Sequence, residues 1–218
     1  MATAHAPGFP LPLRNGLAHL VIAGLDDATA RDALVWLAAN EDDPAPDASR
    51  ARLATLHLVE PDGTLLDVHR PHVERVRVHA RRGLDAAQTY VAPSRPTQDR
   101  IAAAVARAVA LWNEQLFFEV HEVLETEWQR TTGPERHALQ GVIQIGVALH
   151  HHLHGNPRGA RTLMREGRER LAAARDALPT LDVAGLLATT APWEAALIAG
   201  TASQDTEPPR LASRLGSA

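Results

Sequence analysis

The chain has no cysteine, which excludes disulfides, thiolate metal sites and cysteine nucleophiles. It has no lysine either, so all 22 Lys+Arg residues are arginine, and neither a lysine Schiff base nor a phosphate-loop lysine can form. Aromatic residues are few: one Tyr, three Phe and four Trp. No apolar run approaches the ~18 residues needed to span a bilayer. The opening MATAHAPGFPLPLRNG lacks a basic start and a sustained apolar stretch, so no secretory signal is expected and the cytoplasm is the expected location. The patterns G-x-S-x-G, G-x-x-x-x-G-K-[ST] and G-x-G-x-x-G do not occur, which removes the usual hydrolase, nucleotide-hydrolase and dinucleotide readings. A net charge of −4 and a pI near 6.3 argue against a surface tuned as a whole for nucleic acid.

What is present suits a folded protein. With 218 residues, 45% of them apolar and 22% charged, there is enough chain for one generous domain or two small ones. The segment YVAPSRPTQ (90–98) holds two prolines and no periodic apolar pattern, so it reads as a linker.

Before the linker, residues 1–92 read as a small α/β domain of β-α-β-β order. LAHLVIAG (17–24) is a short apolar run stopped by glycine, the mark of a buried strand. Asp26 and Asp27 can cap a following helix over ATARDALVWLAAN. RLATLHLVE and TLLDVHRPHVERVRVHARR are separated by the turn signal Pro61-Asp62-Gly63 and read as a hairpin with a further strand. In that last strand Val76, Val78 and Ala80 alternate with Arg75, Arg77, His79 and Arg81. Such a basic row, with Arg70 and Arg82 nearby, could attract phosphate. No aromatic side chains interleave with it, so a solvated face is expected rather than a nucleic-acid surface.

After the linker the period turns helical, and residues 93–200 read as an antiparallel helical bundle; the fold class is mostly α. Thr97 is the expected cap of an alanine-rich first helix. A second helix over about 114–130 ends at TTG, and a third, opened by Pro134, runs to about His154 before Gly155-Asn156. Pro157 opens a fourth, and two short helical pieces follow near 182–189 and 192–199. Trp36, Trp112 and Trp193 occupy apolar helical positions and are expected in the core. Residues 201–218 are polar, small and proline-bearing, and are expected to be a disordered tail.

The chemistry-bearing residues gather on the second and third helices. At about 100° per residue, Phe117, His121, Glu125 and Trp128 share one stripe with Glu114 close by, and Gln140, Gln144 and His151 share another. Antiparallel pairing would set Glu125 opposite Gln140, His121 opposite Gln144, and Glu114 or Phe118 near His151, as an inward-facing polar seam. Buried polar groups left unpaired cost about 1–3 kcal/mol each, so a satisfied network that fixes helix register is one reading. A site is the other. His121 and Glu125 at i, i+4 can chelate one ion, with His151 and Glu114 as further ligands; a third possibility is an interface that closes on homo-oligomerisation. His121-Glu122-x-x-Glu125 is not a zincin helix, because Glu125 stands where the second histidine belongs. The run His150-His151-His152-Leu153-His154 reads as structural, since consecutive helical residues diverge and histidines gain from the helix C-terminal dipole.

FFEVHEVLETEWQR (117–130), followed by LQGVIQIGVALHHHLHGNPRGA (139–160), resembles the domain of unknown function family numbered 309. The pattern F-x-x-H-E-x-L-E-x-x-W is supplied by Phe118, His121, Glu122, Leu124, Glu125 and Trp128. L-Q-G-x-I-Q is carried by Gln140, Gly141 and Gln144, with His151 beyond. G-N-x-x-G-A is supplied by Gly155, Asn156, Gly159 and Ala160. The resemblance covers about residues 105–175, implies an α-helical fold and brings no activity with it. The incomplete catalytic set favours a non-catalytic binding or scaffold module, with Glu114, Phe118, Glu122, Trp128, Gln140, Gln144, His151 and Asn156 as its network. The alternative is a metal-dependent or acid–base hydrolase centred on His121 and Glu125. A divalent metal held by His121, Glu125 and His151 would be its cofactor, though nothing in the sequence requires one.

Overall fold

In a computed structural model, which describes residues 8–39, 43–93, 99–203 and 206–214, the chain forms two compact units, Gly8–Tyr90 and Val91 onward. The first contains α1 (Leu11–Gly24), α2 (Ala28–Ala39), α3 (Asp47–Thr55), a 3₁₀ turn (Asp67–His72) and α4 (Val73–Thr89). The second contains α5 (Arg100–Asn113), α6 (Phe117–Arg130), α7 (Gly133–Leu153), α8 (Pro157–Ala173) and α9 (Val183–Ala199). No helix among the described residues is long and apolar enough to cross a membrane.

The expected β-α-β-β arrangement is overturned. No strand ladder occurs among the described residues, and only the isolated bridges Val59–Leu65 and Leu181–Ser213 are present. The run at 17–24 is part of α1, whose Leu13, Leu17, Leu20, Val21 and Gly24 are all buried. A short run that is apolar on every side carries no period of its own, so a buried helix and a buried strand look alike. The alternation at 75–81 misleads in a different way. In α4 the buried residues are Val76, Ala80, Gly83 and Ala86, spaced for a helix, while Val78 is 48% exposed. Ala80 satisfies both periods, and only Val78 separates them.

The basic row is dispersed with the strand that carried it. Arg77 pairs with Glu74 at 2.8 Å, Arg70 with Asp67 at 2.8 Å, Arg75 lies over the Phe9 ring at 4.4 Å, and Arg81 donates to the Ala38 carbonyl. The Pro61-Asp62-Gly63 turn is real, closed by Thr64 O accepting from Glu60 N at 2.8 Å, with Gly63 at φ +91°. Asp27 caps α2 by accepting from the Thr29 amide and hydroxyl. Those hydrogen bonds, side chain then backbone, with Arg52 beyond, hold its carboxyl below 3.8. The cap's stabilisation is therefore present at neutral pH and is lost progressively in acid, as pH falls from the ordinary carboxylate range through the lowered value.

In the second unit the main packing is between α7 and α8. A Cβ on Gly141 would stand 2.8 Å from the Leu171 Cβ and 2.9 Å from the Gly167 carbonyl; one on Gly167 would stand 2.9 Å from the Gly141 carbonyl. The two helices thus meet backbone to backbone. Residues 183–199, expected as two pieces, form one helix despite Pro192. Arg168 of α8 donates to the Leu187 carbonyl at 2.5 Å, to the Thr190 hydroxyl, and to Glu194 at 2.7 Å. These bonds fasten the turns on both sides of the proline, where a backbone hydrogen bond is missing.

The expected cap Thr97 lies outside the described residues, and the Asp99 carboxylate accepts from the Ala102 amide to cap α5. Trp112 and Trp193 are buried, whereas Trp36 is half-buried with its indole N–H donating to Asp43. Of residues 201–218, expected as a disordered tail, 206–214 lie against the end of α5. Leu211 is 3% exposed, and Leu211 and Pro209 bond to α5.

The helical period in α4 has a direct check. Val76→Asp should cost about 3 kcal/mol or more, by burying an unpaired charge. Val78→Asp should stay within about 0.5 kcal/mol. Urea unfolding followed at Trp36, the one tryptophan in residues 8–90, reads both; equal losses would restore the alternating-face reading.

Candidate functional site at the edge of α6

The site begins at the turn between α5 and α6. Leu116 N donates to Leu111 O at 3.0 Å and Gln115 N to Trp112 O at 2.8 Å, the two bonds of a Schellman ending. The left-handed position of that motif is filled by Gln115 at φ 59°, where glycine would be unstrained. α6 starts immediately, with Phe117, Val120, Val123 and Leu124 buried. Phe118, His121, Glu122, Glu125 and Trp128 occupy the boundary of that face and are half-exposed. The stripe expected to point inward therefore runs along an edge, because the apolar residues, together with the buried Glu119 and Glu127, take the packed side.

On this edge His121 lies between two carboxylates. Its Nδ1 is 3.2 Å from Glu122 Oε1 and its Nε2 is 3.5 Å from Glu125 Oε2, with the three side chains 30%, 39% and 37% exposed. One ligand atom from each of the three lies within 4.8 Å of the others. A neutral imidazole donates through one nitrogen only, so its second nitrogen presents a lone pair to a carboxylate. A metal ion accepting that lone pair would remove the repulsion. The Phe118 ring stacks beside the imidazole, with centroids 6.3 Å apart and planes at 21°.

The other candidate residues are engaged elsewhere. Gln144 donates to Glu166 at 3.3 Å and accepts from Arg170 at 3.1 Å, both on α8. Gln140 is half-buried on α7, and Glu114 is half-buried at the end of α5. The Trp128 ring lies under the Arg136 guanidinium, 3.8 Å from its centroid, and its buried indole N–H has no hydrogen-bond partner among the described residues. His151 belongs to the next turn. Gly155, at φ +71°, ends α7 with Asn156 N donating to His151 O at 2.8 Å and Gly155 N to His152 O at 3.1 Å. Asn156 then caps α8: its Oδ1 accepts from Gly159 N at 3.0 Å, and its amide donates to His151 Nδ1 at 3.3 Å. That contact engages His151 with the start of α8. A Cβ on Gly159 would meet Asn156 at 2.7 Å, which explains the second glycine of the G-N-x-x-G pattern.

In the histidine run, His150 and His154 pack at 4.1 Å, and the buried His152 contacts the Ser203 carbonyl at 3.1 Å and the edge of Trp193. Glu122 joins the imidazole cluster although spacing gave it no place among the ligands. Adjacent helical residues diverge at Cβ, and only the length of the glutamate brings its carboxylate back.

Residues 105–163 match the family model described as Domain of unknown function (DUF309). The resemblance carried by the three motifs holds over that stretch. A curated relative, the uncharacterized protein YpuF of Bacillus subtilis (strain 168), is 38% identical over 66 residues, which are 30% of this chain and 38% of that protein. The match thus spans about two fifths of the relative's length. No solved structure matches the chain.

The Asn156 cap separates structural from chemical roles within the matched stretch. Asn156→Ala should lower stability by about 1 kcal/mol in chemical denaturation. The environment of His121, read by its imidazole NMR shifts, should not move. A shift at His121 would show that the two lie in one network after all.

Proposed function

We propose that the helical unit is a non-catalytic binding module whose recognition edge is the Phe118–His121–Glu122–Glu125 side of α6, and that this edge takes a divalent cation. The observation that carries this reading is the convergence of one imidazole and two carboxylates, half-exposed, within 4.8 Å. Mixed nitrogen and oxygen donors suit zinc or manganese. Three donors leave coordination positions open to water or to a partner's own carboxylate. Support for a binding role over a catalytic one comes from the engagement of Gln144 with α8 and of His151 with Asn156. Neither is left to position a substrate.

A metal-dependent or acid–base hydrolase at the same centre is the second reading, favoured by the His121–Glu125 pair at 3.5 Å. There Glu125 would orient the imidazole, and His121 would act as ligand or general base.

Zinc and manganese titrations by calorimetry, on full-length protein without a histidine tag, test the first reading. One ion per chain is expected, with affinity falling at least about tenfold in His121→Ala and in Glu125→Gln while circular dichroism is unchanged. Absence of binding, or binding lost instead in a His150→Ala, His154→Ala double variant, would overturn it. Metal-dependent ester or phosphoester turnover that Glu125→Gln abolishes would favour the hydrolase.

A further inference from the structure

Residues 206–214, TEPPRLASR, cross the end of α5 as extended chain with a single apolar anchor. Leu211 is 3% exposed beside the buried Pro209, while Glu207, Arg210 and Arg214 are exposed. Leu211 packs into an apolar cluster with Val105, Ala108, Leu124, Leu139 and Leu181, all of them buried.

The backbone of the segment is read on both sides. The Trp112 indole N–H donates to the Pro209 carbonyl at 2.7 Å. The Asn113 amide matches one residue completely: Nδ2 donates to Leu211 O at 3.0 Å and Oδ1 accepts from Leu211 N at 2.9 Å. On the opposite side the chain pairs in strand fashion with the stretch at 180–182. Asp182 N donates to Ala212 O at 2.9 Å, Arg214 N to Thr180 O at 2.8 Å, and Leu181 forms an antiparallel bridge with Ser213. Arg214 also reaches Asp182 at 3.3 Å.

This combination is how extended peptides are bound: main-chain hydrogen bonds supply affinity, and one side-chain pocket supplies specificity. Trp112 and Asn113 lie inside the stretch that matches the family model, and the 180–182 stretch, Pro209 and Leu211 lie outside it. We infer that the end of α5 and the 180–182 stretch form a docking groove for an extended Pro-x-Leu peptide, and that the chain's own Pro209-Arg210-Leu211 occupies it as a detachable intramolecular ligand. Tethered to the groove it fills, such a ligand acts at an effective concentration on the order of millimolar. It keeps the groove closed to weaker partners in solution. The groove is distinct from the edge at His121, and its test involves no metal.

The experiment uses full-length protein carrying Leu211→Asp, which unseats the anchor, and a fluorescent peptide of residues 206–214. The variant is expected to bind the peptide one to one by anisotropy. The wild-type chain should bind it at least about tenfold more weakly. A peptide carrying the same Leu→Asp change should not bind, and Asn113→Ala added to the variant should weaken binding at least about tenfold. A folded variant that ignores the peptide overturns the inference. So does wild-type protein that binds as well as the variant, or binding indifferent to Asn113. Loss of near-ultraviolet circular dichroism and of cooperative unfolding in Leu211→Asp would also overturn it, since the segment would then be a core element rather than a ligand.

Discussion

Helices α7 and α8 approach until backbone meets backbone, and that contact rests on two residues without side chains. Gly141 and Gly167 each fill the position where the other would collide with a Cβ, at 2.9 Å from the opposing carbonyl. An intimate crossing of this kind gains dispersion along both helices and forbids any larger residue at its centre. It also decides the partners of the polar residues nearby. Gln144, one turn from Gly141, is brought to Glu166 and Arg170 of α8. Arg168, next to Gly167, extends from the same helix to fasten α9 around Pro192. The glycine in the L-Q-G pattern is thus a packing residue, and the glutamine three positions on is committed by it.

The edge of α6 is governed by competition for one helical face. Apolar Phe117, Val120, Val123 and Leu124, with Glu119 and Glu127 beside them, take the buried side. His121, Glu122 and Glu125 are left at the boundary, where charge is affordable and solvent reaches it. This is a better place for a cation than a closed seam, because two carboxylates and an imidazole need not be desolvated completely. The neighbouring turns are built from backbone grammar instead. Gly155 and Asn156 end one helix and start the next, and the side chains drawn into that turn have their hydrogen bonds already made.

Residues 206–214 follow a different logic from the helices. They have no apolar period and no helix of their own. Composition of that kind marks a chain unable to fold alone, which is why the sequence reads as disordered there. A helix end with a buried indole N–H and a half-buried amide side chain supplies the missing partners. Disorder in isolation and order in a groove are compatible properties of one segment.

The helices from α5 to α8 and the stripe carrying His121 and Glu125 were legible in the residues themselves. Their apolar positions repeat at the helical period, and Pro, Gly and Asn punctuate them through local dihedral preferences. Glu125 one turn after His121 is likewise a matter of spacing alone. Tertiary structure decided the rest. It made helices of the stretches at 17–24 and 75–81, because a run apolar on all sides has no period and an alternation of a few residues fits either element until burial singles out Val76 over Val78. It turned the polar stripe to the edge, since which face of a helix is buried depends on what packs against it. Only the fold could bring Leu211 to Asn113, because no local rule links residues 98 positions apart.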